Sequence, residues 1–312
     1  MSALLDFRGM LQFMASPKYL WKAILIVFTY FTLGRLGLMF DAASGFASLV
    51  WPPTGISIAL LFLMGRRYAP AIFVGALLTN LTAGANVFVA IGIGLGNMLE
   101  AVLAAGFLRS LKFNPKLCCV EDVLTLLLPV AIFSTLVSAI IGCLSLLMGG
   151  VVTINTFAET WVSWWIGDMI GALVFTPIII VWHDFIKEGK KLEVRLEWLL
   201  PFLTVVAVNA MVFFGGPDSF LISHLVTRSY FVFIPLIWLA FRFNETGIIT
   251  ALFTTSIMAI IATASGSGPF AGVDLSASLL SLQIFLGVLT ATILFLYASI
   301  MERFKNGKRG NH

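Results

Sequence analysis

Charge is what this chain lacks. Only 11% of its 312 residues are Asp, Glu, Lys or Arg, against 60% hydrophobic, whereas an ordinary soluble domain carries roughly 25% charged residues. That shortage excludes a soluble enzyme or nucleic-acid binder, and it turns the net charge of +4 into a question of which loops carry the lysines and arginines. Cysteine is scarce as well. Cys118, Cys119 and Cys143 are the three present, with no second CxxC-type pair and no histidine cluster to complete a metal site. His183 and His224 stand alone, so neither a metal nor any other cofactor is expected. No small-residue cleavage site follows the first apolar run, which is therefore expected to be a retained span and not a signal peptide.

What the chain has instead is long apolar sequence. A window of about 20 residues marks ten candidate spans, near 20–40, 47–64, 69–83, 86–108, 123–148, 159–182, 197–214, 229–241, 246–264 and 277–301. The third and eighth are short enough to suit re-entrant segments. Ten crossings from an inside N-terminus put every one of the 19 Lys and Arg residues on the cytoplasmic side except Arg228 and the intramembrane Arg35. The opposite side carries Asp41, Glu159, Asp218 and Asp274. Dropping one span would invert every later loop. The expectation is an all-α polytopic bundle of about ten transmembrane helices with both termini cytoplasmic. Residues 1–17 form an N-terminal segment and 18–304 the membrane domain, divided by the charged loop 183–197 into a six-span half (18–182) and a four-span half (198–304); 305–312 are a basic tail. The stretch Ser265 to Gly272 suits a connector or a lid.

Three ionisable residues, Arg35, Glu100 and Asp168, fall inside these spans, where each costs roughly 2.5 to 3.5 kcal/mol on insertion scales. Trp161, Trp164, Trp165 and Asp168 share one helical face at i, i+3, i+4 and i+7, which sets indole rings beside a carboxylate. Asn97 and Glu100 share a face at i, i+3. Counting helical rise from the outer ends of the spans places Arg35 at roughly 8 Å, Asp168 at roughly 14 Å and Glu100 at roughly 21 Å depth, so Arg35 and Asp168 are expected to meet in an outward-facing site with Glu100 below it. Asn80 ends the third span, and Trp51 opens the second at the interface, with Pro52 and Pro53 in its first turn. The candidate ligand-binding residues are thus Arg35, Trp51, Asn80, Asn97, Glu100, Trp164, Trp165 and Asp168; none is read as catalytic or metal-binding. Gly92 and Gly96 are spaced for close helix approach. A short echo links Gly96–Val102 to Gly167–Leu173, both on inward-going spans, as in repeat-built transporters.

Trp51, Pro52, Pro53, Thr54 and Gly55, then Gly75 with Asn80, then Gly96, Asn97 and Glu100, then Trp164, Trp165, Gly167 and Asp168 with Pro177 form an ordered motif set. In it the chain resembles the bacterial membrane-associated sensor domains of the first MASE type, over about residues 18–304. The resemblance implies a non-enzymatic input module of the bacterial inner membrane, feeding a diguanylate cyclase, a cyclic-di-GMP phosphodiesterase or a histidine kinase. No GGDEF or EAL signature, phosphoacceptor histidine segment or nucleotide-binding glycine loop occurs in these 312 residues. The implied output is therefore expected on a C-terminal part of a longer protein or on a cytoplasmic partner. The expected partners are the phospholipid bilayer, a small ligand of unknown identity and that output; a sensor driving a dimeric enzyme should form a homodimer, and no nucleic acid is implied. A secondary transporter or substrate-capture subunit using Glu100 and Asp168 is the alternative.

Overall fold

The computed structural model describes residues 16–39, 41–43, 47–48, 50–189, 196–215, 229–272 and 275–309. Each of the ten apolar segments read from the sequence contains one helix: α1 Pro17–Leu38, α2 Pro52–Met64, α3 Ala69–Thr82, α4 Val87–Ser110, α5 Val120–Met148, α6 Ile154–Lys187, α7 Leu196–Phe214, α8 Phe233–Arg242, α9 Glu245–Ala264 and α10 Leu275–Arg309. Six of these are long and apolar enough to cross a membrane, namely α1, α4, α5, α6, α9 and α10, while Pro52–Met64, Leu199–Phe214 and Ser229–Arg242, which include α2, most of α7 and α8, are shorter apolar helices. The basic Arg8, Lys190, Lys191, Arg195 and Arg228 and the acidic Asp218 and Asp274 lie outside the described residues.

Local chemistry sets the helix starts. The Ser16 hydroxyl accepts from the Tyr19 amide before Pro17 opens α1, and Asn86 and Asn244 cap α4 and α9 by accepting from Val89 N and Gly247 N at 3.0 Å each. Such caps satisfy amides that have no partner within the helix. The second apolar run differs from its expected span. Residues 41–43 and 47–48 form a short antiparallel hairpin, β1 Asp41–Ala43 and β2 Ala47–Ser48, and helix begins only at Pro52. Two prolines at the first helical positions set that start, because they carry no N–H to lose and have φ preset for helix.

In α5 the nine residues Leu126–Ser134 wind as a π-helix around Pro129. A proline inside a helix removes one donor and clashes with the carbonyl four residues back, and a wider turn relieves both. Hydroxyls add further bonds in this turn: Ser134 donates to the Val130 carbonyl and Thr135 to that of Ala131.

One apolar core joins the two halves of the chain, with Leu126, Leu173 and Ile180 from the first packed among Ile249, Leu286 and Ile293 from the second. The central helices are α4, which packs on α2, α3 and α5, and α6, which packs on α2, α5, α9 and α10. Glycines permit the closest crossings. A Cβ on Gly55 would lie 2.2 Å from the Gly171 carbonyl oxygen, and one on Gly171 would lie 2.1 Å from that of Trp51, so α2 and α6 touch backbone to backbone. Gly92 and Gly96 face Ser145 and Ile141 of α5, as their spacing predicts. The 265–272 stretch is a packed connector: Phe270 meets Phe213 and Phe285.

Candidate functional site

Trp51 marks the level at which α2 begins. Its amide donates to the Gly167 carbonyl at 3.1 Å, in the middle of the 34-residue α6. The α2 N-terminus is therefore inside the bundle, not at its rim, and Thr54 in its first turn donates its hydroxyl to Asp168 Oδ1 at 3.1 Å. From there α2 runs to the end of the molecule where Arg109 holds the Leu61 and Phe62 carbonyls, both at 2.6 Å. That end also carries Arg66, Arg67 and Lys116 and is the basic end of the bundle.

Glu100 of α4 and Asp168 of α6 are neighbours at this level: Asn97, one turn before Glu100, and Trp164, one turn before Asp168, are joined through Ser138, and the two carboxyls are close enough to interact electrostatically. Each residue is 1% exposed, and both Glu100 oxygens and Asp168 Oδ2 receive no hydrogen bond. Around them runs a relay of neutral groups: the Trp164 indole N–H donates to Ser138 Oγ at 3.2 Å, and Ser138 donates to Asn97 Oδ1 at 2.9 Å. Gly142 makes room for the Trp164 ring, since a Cβ there would fall 2.7 Å from it. Tyr30 of α1 lies near both carboxyls and accepts from Trp51 Nε1 at 3.4 Å.

Five of the eight residues expected from the sequence thus converge: Trp51, Asn97, Glu100, Trp164 and Asp168. The two echoing stretches of α4 and α6 bring their polar residues to one place. Three residues do not join. Arg35 is exposed near the end of α1, and among the described residues no ion pair connects it to either acid. Asn80 is buried but donates to the Ala76 carbonyl of its own helix at 2.8 Å, a bond that stabilises the end of α3. Trp165 stacks on Trp161 at 5.5 Å and donates to the Ile132 carbonyl in the π-helical turn at 3.1 Å.

The expected separation in depth between Glu100 and Asp168 is also corrected. It rested on an α6 start at 159, whereas the helix starts at Ile154. Glu100 is then 13 residues beyond Val87 and Asp168 14 residues beyond Ile154, about 20 and 21 Å along their helices. Sequence reasoning passed over Ser138 and Tyr30 altogether and did not give Thr54 a role. Hydroxyls inside apolar spans were the available signal.

A match to a family model decides what kind of domain houses this centre: MASE1 covers residues 22–303. The chain belongs to the MASE1 family. MASE1 domains are membrane-associated sensory domains, so this chain is a multi-pass membrane protein of the sensory class. Comparison with curated proteins and with solved structures gives no match.

At the basic end, Cys118, Cys119 and Asp122 bring three ligand-type atoms within 4.8 Å of one another. Hydrogen bonds already use them. Cys119 donates its thiol to Asp122 Oδ2 at 3.0 Å, and Asp122 Oδ1 accepts from the Asn114 amide at 2.8 Å. Burial first, and the Asp122 carboxylate second, push the Cys119 thiol up to about 12. In this MASE1 domain these bonds brace the first turn of α5. Nearby, Lys116 forms a 2.8 Å ion pair with Glu188 that raises its ammonium pKa.

Proposed function

We propose that this MASE1 domain is the sensory input module of a bacterial inner-membrane signalling protein, with its basic end and both termini in the cytoplasm. Its state is set at the Glu100–Asp168 centre and read at α10. The output it drives is of the cyclic-di-GMP or histidine-kinase type, on a C-terminal part or a partner.

The observation carrying this reading is the connection between centre and exit helix. Two residues after Asp168, Ile170 packs over Gly287 of α10, its Cδ1 3.6 Å from where a Cβ would stand. Helix α10 is 35 residues long. Towards the basic end it is held at two helix starts, where Tyr297 donates to Glu245 at 3.4 Å and Glu302 accepts from the Val120 amide at 3.3 Å. A change in charge at Asp168 acts on α6, and α6 acts on α10. The displacement is limited by how differently the two packings favour the change. The proposed site keeps Asp168, Glu100, Asn97, Trp164 and Trp51, and leaves out Arg35, Asn80 and Trp165.

Spin labels on Phe304 and Lys187 in nanodiscs test the reading. Glu100→Gln and Asp168→Asn should each shift the distance distribution of α10 against α6, while Arg35→Ala should not. Superimposable distributions in all three would overturn it.

A secondary transporter is the second reading, favoured by the start of α2 in mid-bundle beside two buried acids, since broken helices line the sites of transporters. Liposomes carrying a pH gradient distinguish the two, because a sensor dissipates no gradient.

A further inference from the structure

The walls of the centre are closed. Thr54 is 4% exposed, Asn97 4%, Ser138 0%, Trp164 6% and Tyr30 3%, so the carboxyls are shut off from solvent unless the helices part. Within that enclosure three of four carboxyl oxygens have no donor, and the Asn97 amide N–H on the Glu100 face has no acceptor. Among the described residues no Lys, Arg or His is ion-paired to either acid. Two ionised carboxylates side by side in this enclosure would repel strongly, and each would also lose its hydration. A proton on one of them removes a charge and supplies the O–H that the other lacks. The charge that remains has two supports. Thr54 donates to Asp168 Oδ1, and the positive end of the α2 dipole lies at the same level. Pro52 and Pro53 contribute no amide N–H there, so that terminus acts through its dipole and the Thr54 hydroxyl.

We infer that Glu100 and Asp168 hold one exchangeable proton between them, so that the ligand of this site is the proton itself. The inference rests on the sensory reading of the same centre and names what that centre binds. On release, the helices part far enough to admit water, the O–H bond of one carboxyl breaks, its electron pair stays on the carboxylate and the proton passes to that water. Two negative charges side by side then hold α4 and α6 apart, and Ile170 carries the movement to Gly287. Among the described residues, the other titratable groups near the pair are Tyr30 on α1 and, close to Asp168, Cys143 on α5. Helices α2 and α3 contain no titratable side chain. The Glu245 carboxyl of α9 and the Glu302, Arg303 and Lys305 side chains of α10 are at the basic end.

Difference infrared spectroscopy of the full chain in nanodiscs, through a pH step, reads the shared proton directly. The expected result is a protonated-carboxyl C=O band that shifts in D2O and is lost in Glu100→Gln and in Asp168→Asn taken singly. In Thr54→Val, which removes only the donor to Asp168, the band should move in frequency, and in Arg35→Ala it should stay unchanged. No such band at any pH, or a band surviving both acid substitutions, would overturn the inference. So would a thermal midpoint that follows sodium at fixed pH and ionic strength without any protonated-carboxyl band. The two readings fail separately. A shared-proton band with α10 indifferent to pH and to both acid substitutions overturns the sensory reading alone, whereas α10 movement in Glu100→Gln without a protonated band overturns the shared proton alone.

Discussion

Thr54 shows how much depends on one hydroxyl. It links the first turn of α2 to Asp168, and its loss would leave a further bare oxygen on a buried pair that already has too few donors. Removing one partner of a buried hydrogen bond costs about 1 to 3 kcal/mol. Thr54→Val should therefore lower the unfolding free energy in an SDS titration by that amount, and Thr54→Ser should restore most of it. Arg35→Ala should change nothing in the same titration, because Arg35 stands apart from the acids. At the basic end, the raised Cys119 thiol makes a pH prediction. The nucleophile is the thiolate, and with the thiol pushed up to about 12 the thiolate fraction stays small at neutral pH. Alkylation of Cys119 in a Cys118→Ser, Cys143→Ala background should be slow there and climb towards pH 12, without levelling near the ordinary thiol value. Asp122→Asn removes the carboxylate that accepts the proton and should speed alkylation at neutral pH. Equal rates in the two proteins would refute the brace.

At the scale of elements, the close approach of α2 and α6 is the feature on which the centre depends. Gly55→Ala puts a Cβ 2.2 Å from the Gly171 carbonyl, where backbone has to move. Overpacking of this kind costs about 1 to 3 kcal/mol, and it should weaken the Thr54–Asp168 bond as well. Gly287→Ala meets only Ile170 at 3.6 Å and should be tolerated, so SDS unfolding of the two variants gives the contrast. All ten of these helices among the described residues were legible as apolar runs, because hydrophobic length is the signal a bilayer imposes on sequence. The start of α2 was not. Residues 47–50 are as apolar as the helix itself, so hydropathy ran through a hairpin that only the Pro52–Pro53 pair could have ended. The five-residue error at the start of α6 had a larger effect, since it set Asp168 above Glu100 when the two are level. The π-turn in α5 was not anticipated either, although Pro129 was its visible cause.

Across the whole molecule, the rare charges within the membrane divide into two kinds. Arg35 is an exposed cation on α1, while Glu100 and Asp168 are a pair that only the crossing of α2, α4, α5 and α6 creates. Type and class of the protein were legible from composition, and the ordered motifs already pointed to MASE1. The pairing was not, because it depends on where α4 and α6 begin and on the hydroxyls of Thr54 and Ser138, which carry no pattern of their own. A double-mutant cycle in nanodiscs tests the central claim most directly: Glu100→Gln, Asp168→Asn and the double variant, each measured for unfolding free energy. Residues in contact couple by about 0.5 to 3 kcal/mol, and a pair sharing one site should fall in that range. Additivity within about 0.3 to 0.5 kcal/mol, as expected of independent sites, would contradict it.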